Sequence, residues 1–337
     1  MRLLVLGGTR FVGPPIVAAA IARGWEVTTF NRGVSGHDVP GTDAVHGDRT
    51  AAADVASLTE HGPWDAAVDL AGYVPVETLA LAKQLEPHVS RYVFMSTVSV
   101  YQGWPVEPLA EASAVLACPP DAGPDFGTDV EDGPTKYGYQ KSGSESAVRL
   151  VFGEDRSAVL RPGVVLGPGE YVGRLPWWLR RIAKGGQVLA PGTPGRAIQP
   201  VDVRDLAQFA CHLVEQRQAG TFNVTAPMNR DTFAALLEAC VAATSSPADL
   251  VWVPDDVLLS FGVRQWSELP LWRVHRGVWE VASTAAQAAG LTCRPLAETV
   301  RDTWAWLNET DHRFEDDRAQ EIGIDPGREA EIIAAVR

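Results

Sequence analysis

Met1-Arg2-Leu3-Leu4-Val5-Leu6-Gly7-Gly8-Thr9-Arg10-Phe11-Val12-Gly13 opens the chain. An apolar run of strand length ends in a glycine pair, and an apolar helical pattern follows from about Phe11 to Ala22. Gly24 then interrupts, and Trp25 to Phe30 reads as a second strand, so the segment predicts the start of a βαβ unit. Glycine at such a turn lets the backbone approach a phosphate closely, while the helix N-terminus adds amide donors and a favourable dipole. The spacing from Gly7 to Gly13 is that of a Gly-x-x-Gly-x-x-Gly loop with Arg10 in place of the middle glycine. The expectation is a dinucleotide site that uses Gly7, Thr9, Arg10, Phe11, Val12 and Gly13.

The residue ending strand two should read the adenosine ribose, and NAD sites usually place an acid there. Here the positions are Asn31-Arg32, with Arg10 in the facing loop. Guanidinium groups without a carboxylate suit a 2′-phosphate, which Arg can grip bidentately. NADP(H) is therefore preferred and NAD(H) is possible; the alternative is that both arginines are ordinary surface residues. Asp43 to Arg49 predicts a short third strand followed by Asp48 and Arg49, the acid placed to accept from an adenine amine. Trp64 to Gly72 predicts a fourth, ending in Leu70, Ala71 and Gly72 where a cofactor could pass closely. Arg91 to Thr97 predicts a fifth with hydroxyls at its carboxyl end, the end that faces the ligand crevice of an open parallel sheet.

Tyr137-Gly138-Tyr139-Gln140-Lys141 holds the chain's only Tyr-x-x-x-Lys. On a helix, residues four apart share a face. An ammonium beside a phenol favours the phenolate and lowers a pKa that is ordinarily about 10. Such a phenol can give a proton to a carbonyl oxygen or take one from an alcohol while hydride moves elsewhere.

Taken in order, Gly7 to Gly13, Gly47-Asp48-Arg49, Phe94-Met95-Ser96-Thr97-Val98-Ser99-Val100-Tyr101, Tyr137-x-x-x-Lys141 and Arg161 to Gly169 make the chain resemble the short-chain dehydrogenase/reductase superfamily. The resemblance is to its extended, epimerase/dehydratase-like form, and it covers residues 1 to about 210. It implies a Rossmann α/β fold: a doubly wound parallel sheet with helices on both faces and a smaller C-terminal substrate lobe. It also implies that Thr97 hydrogen-bonds the substrate oxygen and that Tyr137 is the general acid/base. Lys141 would bind the nicotinamide ribose and depress the Tyr137 pKa, and Pro162 to Val164 would run past the nicotinamide. Ser99 competes with Thr97 for the hydroxyl role on chemistry alone.

Departures from the family pattern bear on substrate. Dehydratases acting on nucleotide sugars carry Asp-Glu after the catalytic Thr, where this chain has Val98-Ser99. The family's sugar-nucleotide Asn is replaced by Val164, and its diphosphate Arg by Ile198, with Arg196 two residues off register. The stretch 103–134 carries seven acids and no Lys or Arg, so beside the crevice it would repel a diphosphate. Against this, Arg174, Arg180, Arg181 and Lys184 flank Pro176-Trp177-Trp178 on a predicted helix, whose alternative reading is a solvated face. Tyr171, Arg174, Trp177, Trp178, Arg196 and Ser99 are the candidate substrate contacts, although most Trp residues simply fill cores.

With 337 residues and 46% hydrophobic content, the chain can bury a large core and a smaller lobe. The expected division is a dinucleotide core over 1–165 with sheet contributions from 200–225, a lobe over 166–308 and a solvated acidic tail over 309–337. Cys118, Cys211, Cys240 and Cys293 show no metal-ligand spacing, which fits a reducing cytoplasm, and no metal is expected. A net charge of −13 without a basic stripe argues against nucleic acid, and no apolar stretch reaches membrane-span length. The partner expected is a small-molecule substrate; helices near 75–88 and 135–152 could pair in a homodimer, as family resemblance suggests. Three functions follow: an NADP(H)-dependent reductase of a ketone or aldehyde (or the reverse oxidation), a nucleotide-sugar epimerase or dehydratase, or a non-catalytic dinucleotide- or RNA-binding regulator.

Overall fold

Leu3 to Leu6 are buried on both faces, which is what a continuous apolar run predicts for a central parallel strand. The computed structural model describes residues 1–34, 36–309 and 317–336. In chain order the first half contains β1 (Arg2–Leu6), α1 (Gly13–Ala22), β2 (Glu26–Asn31), β3 (Asp43–His46), α2 (Ala52–Thr59), β4 (Ala66–Asp69), α3 (Pro75–Leu85), β5 (Tyr92–Met95), α4 (Lys136–Arg156) and β6 (Ser157–Pro162). It continues with β7 (Val165–Leu166), α5 (Arg174–Ala183), β8 (Gln187–Pro191), β9 (Ala197–Ile198), β10 (Val201–Asp202), α6 (Val203–Glu215) and β11 (Gly220–Val224). The rest is β12 (Asp231–Thr232), α7 (Phe233–Thr244), β13 (Asp249–Val253), α8 (Asp255–Ser260), α9 (Thr284–Ala288), α10 (Leu296–Glu309), α11 (Asp317–Gln320) and α12 (Pro326–Ala335).

Seven strands form the main sheet in the order β11-β6-β5-β4-β1-β2-β3, every neighbouring pair parallel. The order reverses at β1, so the crevice opens beyond the carboxyl ends of β1 and β4. One face is packed by Ile16 and Val17 of α1 with Leu206, Phe209 and Leu213 of α6. The other is packed by Val55, Leu81, Leu85, Val148 and Phe152 from α2, α3 and α4. The chain is thus an α/β protein with a Rossmann-like doubly wound sheet, and β11 rejoins it as the spacing around 220–224 predicts.

A second core gathers Leu175, Trp178, Leu179, Phe233, Leu237, Trp272 and Val300 under the short sheets β8/β13 and β9/β12. Ile332 and Ile333 of α12 belong to it. This corrects the expectation of a solvated tail for residues 326–335: the two isoleucines supply an apolar stripe, and Glu329 beside them is buried. Residues 310–316 of that predicted tail lie outside the described residues. Among the described residues no helix is long and apolar enough to cross a membrane.

Candidate active site

The glycine turn fits a dinucleotide by its shape. Gly7 and Gly8 hold φ of +101° and +99°, where a side chain would be strained. A Cβ added at Gly13 would stand 2.3 Å from the Gly8 Cα, so only glycine lets α1 start this close to the turn. Pro14 and Pro15, which lack amide hydrogens, occupy the first turn of the helix where no partner is needed. Above the turn lies a cavity of about 660 Å³. Gly7, Thr9, Arg10, Phe11, Val12, Gly13, Asn31, Arg32, Asp48, Leu70 and Ala71 all line it. These eleven predicted cofactor residues are brought together from the carboxyl ends of β1, β2, β3 and β4, whereas the predicted Gly72, Tyr137, Lys141, Pro162 and Val164 do not line this cavity.

Arg49 lines the same cavity but is held elsewhere. Its Nη1 and Nη2 each donate to Asp69 at 2.9 Å, forming a bidentate pair with a fully buried carboxylate. Asp69 also accepts from the Tyr92 hydroxyl at 2.8 Å and from the Ala71 amide at 2.9 Å. Despite burial, these donors hold its carboxyl below the usual range. The sequence reading missed Asp69, because a strand-ending acid inside an apolar run carries no sign of its distant arginine. Arg49 is a structural strut of the crevice floor before it is a ligand contact.

Tyr137 sits in the first turn of α4, whose N-terminus is capped by Thr135 accepting from the Gly138 amide at 3.0 Å. Gly138 allows that turn to abut the Thr97 segment, since a Cβ there would lie 2.2 Å from the Ser99 carbonyl oxygen. The Thr97 hydroxyl is hydrogen-bonded to Tyr137, and it donates to Ser99 Oγ at 3.3 Å. Both hydroxyl candidates therefore stand with the phenol. Beneath them, Arg161 on β6 donates through Nε to Glu145 of α4 at 2.9 Å, and Ser96 donates to the same carboxylate at 2.5 Å. This buried pair fixes the helix that carries Tyr137 and Lys141.

The electrostatics differ from the expectation. Lys141 is only 2% exposed; its Nζ donates to the Gly72 carbonyl at 2.9 Å and lies between the rings of Phe94 and Tyr73, 4.5 and 5.1 Å from their centroids. Burial lowers its pKa to about 8. Tyr137 is 44% exposed overall, yet burial of its phenol, with Tyr73 and Tyr171 nearby, pushes its pKa well above the ordinary value. The influences that oppose this are the charge of Arg318 and the Thr97 hydrogen bond. The expectation that Lys141 depresses the phenol is corrected for this structure: the ammonium faces a carbonyl and two rings. Tyr73 and Arg318 are the neighbours that motif reading missed. Pro162 ends β6 buried, and Val164 packs partly buried against the lobe core.

The predicted substrate contacts divide. Tyr171 lines the cavity, edge-on to Phe11 with centroids 6.3 Å apart. Trp178 is corrected: it is fully buried in the lobe core, and its Nε1 donates to the Pro270 carbonyl at 2.8 Å. Trp177 packs on Trp178 and against Gly323. Arg174 stands 3.7 Å from Glu170 and over the Trp266 ring, and Arg196 pairs with Asp255 while donating to the Arg273 carbonyl. Three of the seven acids in the long loop have partners outside it. Asp132 pairs with Arg273, Asp125 with Lys136, and Glu111 accepts from the Asn223 amide. Among the described residues no cluster of three His, Cys, Asp or Glu side chains could hold a metal.

Comparison with known proteins agrees with this fold. The model of the NAD dependent epimerase/dehydratase family matches residues 3–225. "Epimerase family protein SDR39U1" of Bos taurus is 30% identical over 261 residues, spanning 74% of this chain and 82% of that protein. "Chloroplast stem-loop binding protein of 41 kDa b" of Arabidopsis thaliana is 25% identical over 262 residues, 73% of this chain and 64% of that one. The solved UDP-glucose 4-epimerase of Thermotoga maritima superposes with a TM-score of 0.67 at 18% identity, over 93% of this chain and all of that one. The Bordetella bronchiseptica enzyme WbmH, solved with NAD+, gives the same TM-score at 18% identity over 92% and 99% of the two chains.

Proposed function

From the premise that the chain belongs to the NAD-dependent epimerase/dehydratase family of NAD(P)-dependent enzymes, we propose that it is an NADP(H)-dependent reductase of a small ketone or aldehyde. The bound nicotinamide supplies the hydride. Tyr137 gives the proton to the carbonyl oxygen, Thr97 donates to that oxygen, and Ser99 supports Thr97. Lys141, one helical turn after Tyr137, is held by the Gly72 carbonyl. Thr9, Arg10 and Phe11 line the cavity and would hold the dinucleotide, and Arg32, lining it too, would take the 2′-phosphate.

The observation that carries the reductase reading over a nucleotide-sugar one is the engagement of Arg196 with Asp255 and of Arg174 with Glu170. A diphosphate-bearing substrate needs cations turned toward it, and these two serve carboxylates of the protein itself. The absence of a carboxylate directly after Thr97 removes the acid and base of water elimination.

Calorimetric titration with NADPH and NADH tests the cofactor assignment; NADPH binding at least about tenfold tighter is expected, a difference of about 1.4 kcal/mol. Equal affinities would overturn the 2′-phosphate role. Incubation with NADPH and a panel of aldehydes and ketones should then consume the reduced nicotinamide stoichiometrically with alcohol formed. A purified protein that retains its dinucleotide and interconverts sugar nucleotides without net oxidation would replace this reading with the epimerase one.

A further inference from the structure

The two terminal helices lie outside the stretch that matches the family model. Helix α12 is anchored in the lobe: Glu329 accepts from Arg181 Nε at 2.7 Å and from the Leu189 amide at 3.0 Å, and Arg328 donates to Glu268 at 2.7 Å. Between that anchor and the lobe, Gly323 donates its amide to the Ser267 carbonyl at 2.9 Å. The short α11 is thereby placed against the dinucleotide crevice. Its Arg318 donates from Nη2 to the Tyr171 hydroxyl at 3.1 Å, with the guanidinium carbon 5.6 Å from the centre of that ring. The Arg10 guanidinium lies 5.8 Å from the same centre. Tyr171 in turn rests edge-on against Phe11 of the glycine turn and lines the dinucleotide cavity.

Two guanidinium groups held by one ring, beside a glycine turn, form a donor set that suits a pyrophosphate; α1 adds its dipole there, without the amides that Pro14 and Pro15 lack. Arg32 and Arg49 of the motif region line the same cavity, but the cation that shares the Tyr171 ring with Arg10 comes from the chain's far end. We infer that Arg318 is a phosphate-binding residue which, with Arg10 and Tyr171, holds the pyrophosphate of the bound dinucleotide, so that the C-terminal segment completes the cofactor site. The inference rests on the dinucleotide reading above. Consistent with its placement, the Arg318 charge also acts on the Tyr73 and Tyr137 phenols, opposing the burial that raises both. The same side chain thus links the phosphate end of the crevice to its reactive end.

The test is calorimetry on the full chain with NADPH, ADP-ribose and 2′-AMP as separate probes. Arg318→Ala should weaken NADPH and ADP-ribose by on the order of tenfold, the size of one lost charged hydrogen bond, and leave 2′-AMP unchanged. Arg318→Lys should recover part of the loss, and Tyr171→Phe should lose affinity in the same direction but less. An unchanged ADP-ribose affinity in Arg318→Ala overturns the inference, and so does an equal loss for 2′-AMP, which would report a general disturbance of the site. If the wild-type chain binds neither NADPH nor ADP-ribose, the dinucleotide reading falls and takes this one with it. Wild-type binding with an indifferent Arg318→Ala overturns this inference alone.

Discussion

In the dinucleotide half, Arg10 and Arg32 border an open crevice; in the lobe, three arginines and two tryptophans are turned toward partners within the lobe itself. Arg10 and Arg32 line the cavity above the glycine turn. Arg181, Arg196 and Arg328 close ion pairs with Glu329, Asp255 and Glu268. Trp178 and Trp272 are fully buried, each with its indole N–H donating to a partner within the lobe. These five lobe residues therefore report how the lobe holds itself together, and the proposed reacting groups Thr97 and Tyr137 sit on the sheet half. The comparison can be broken or sharpened by four substitutions, two that act on chemistry or binding, one on a buried charge, and one on the lobe.

The largest effect is expected at Tyr137. Removing the hydroxyl in Tyr137→Phe takes away the proposed proton donor and the partner of Thr97 while leaving the ring in place. Turnover should fall by about 10³-fold, within the range for loss of a general acid, with NADPH affinity nearly unchanged. A fully active variant would sink the assignment. Gly13→Ala comes next. Its Cβ would meet backbone atoms of Gly8 at 2.3 Å, which no rotamer can relieve. A loss of about 3 kcal/mol and of dinucleotide binding is expected by denaturant titration and calorimetry. Retained binding would show that the turn is looser than its geometry requires.

Much of the first half was legible because its signals are local. A strand, a glycine pair and a helix lie within the first 22 residues, and their contacts follow from chain order. Even the pairing of Thr97 with Tyr137 follows from motif order. The parts that were not legible depend on contacts between residues far apart. Arg49 meets Asp69 across 20 positions, Arg196 meets Asp255 across 59, and Arg181 meets Glu329 across 148. No periodicity announces such a pair, so Arg49 and Arg196 read as ligand contacts and the final helix read as a tail. Arg318 escaped notice for the same reason, since its ring partner Tyr171 lies 147 residues earlier.

Lys141 provides a third test, on the pH axis. Its pKa falls from an ordinary 10.5 to about 8 because the charged form is buried. Between those two values the unfolded chain binds more protons than the folded one, so stability rises as pH increases through that window. Below pH 8 the full penalty of the buried ammonium is present. Lys141→Met removes the titration, so the wild-type protein should gain about 2 kcal/mol relative to the variant between pH 7.5 and pH 10, in the absence of cofactor. Parallel stability curves for the two proteins would show that the ammonium is better solvated than its contacts with Gly72, Phe94 and Tyr73 imply.

Arg196 bears on the lobe alone and has the smallest expected effect. If the lobe arginines hold structure, Arg196→Ala should destabilise by about 1–2 kcal/mol, since the pair it makes with Asp255 is only partly shielded from solvent. Asp255 would keep the Trp272 indole as a donor at 2.8 Å, which limits the loss. KM for a carbonyl substrate and affinity for NADPH should stay within error of the wild-type values once measured at a temperature where both proteins are folded. If Arg196 instead gripped a substrate diphosphate, the pattern would invert: little change in melting, with a large rise in KM for a sugar nucleotide. The carboxylate of Asp255 makes the first outcome the expected one, because a guanidinium that leaves it for a ligand would strand a partly buried charge. Stability and KM therefore separate the two roles with one substitution, and they do so in the region where residue type alone points the wrong way.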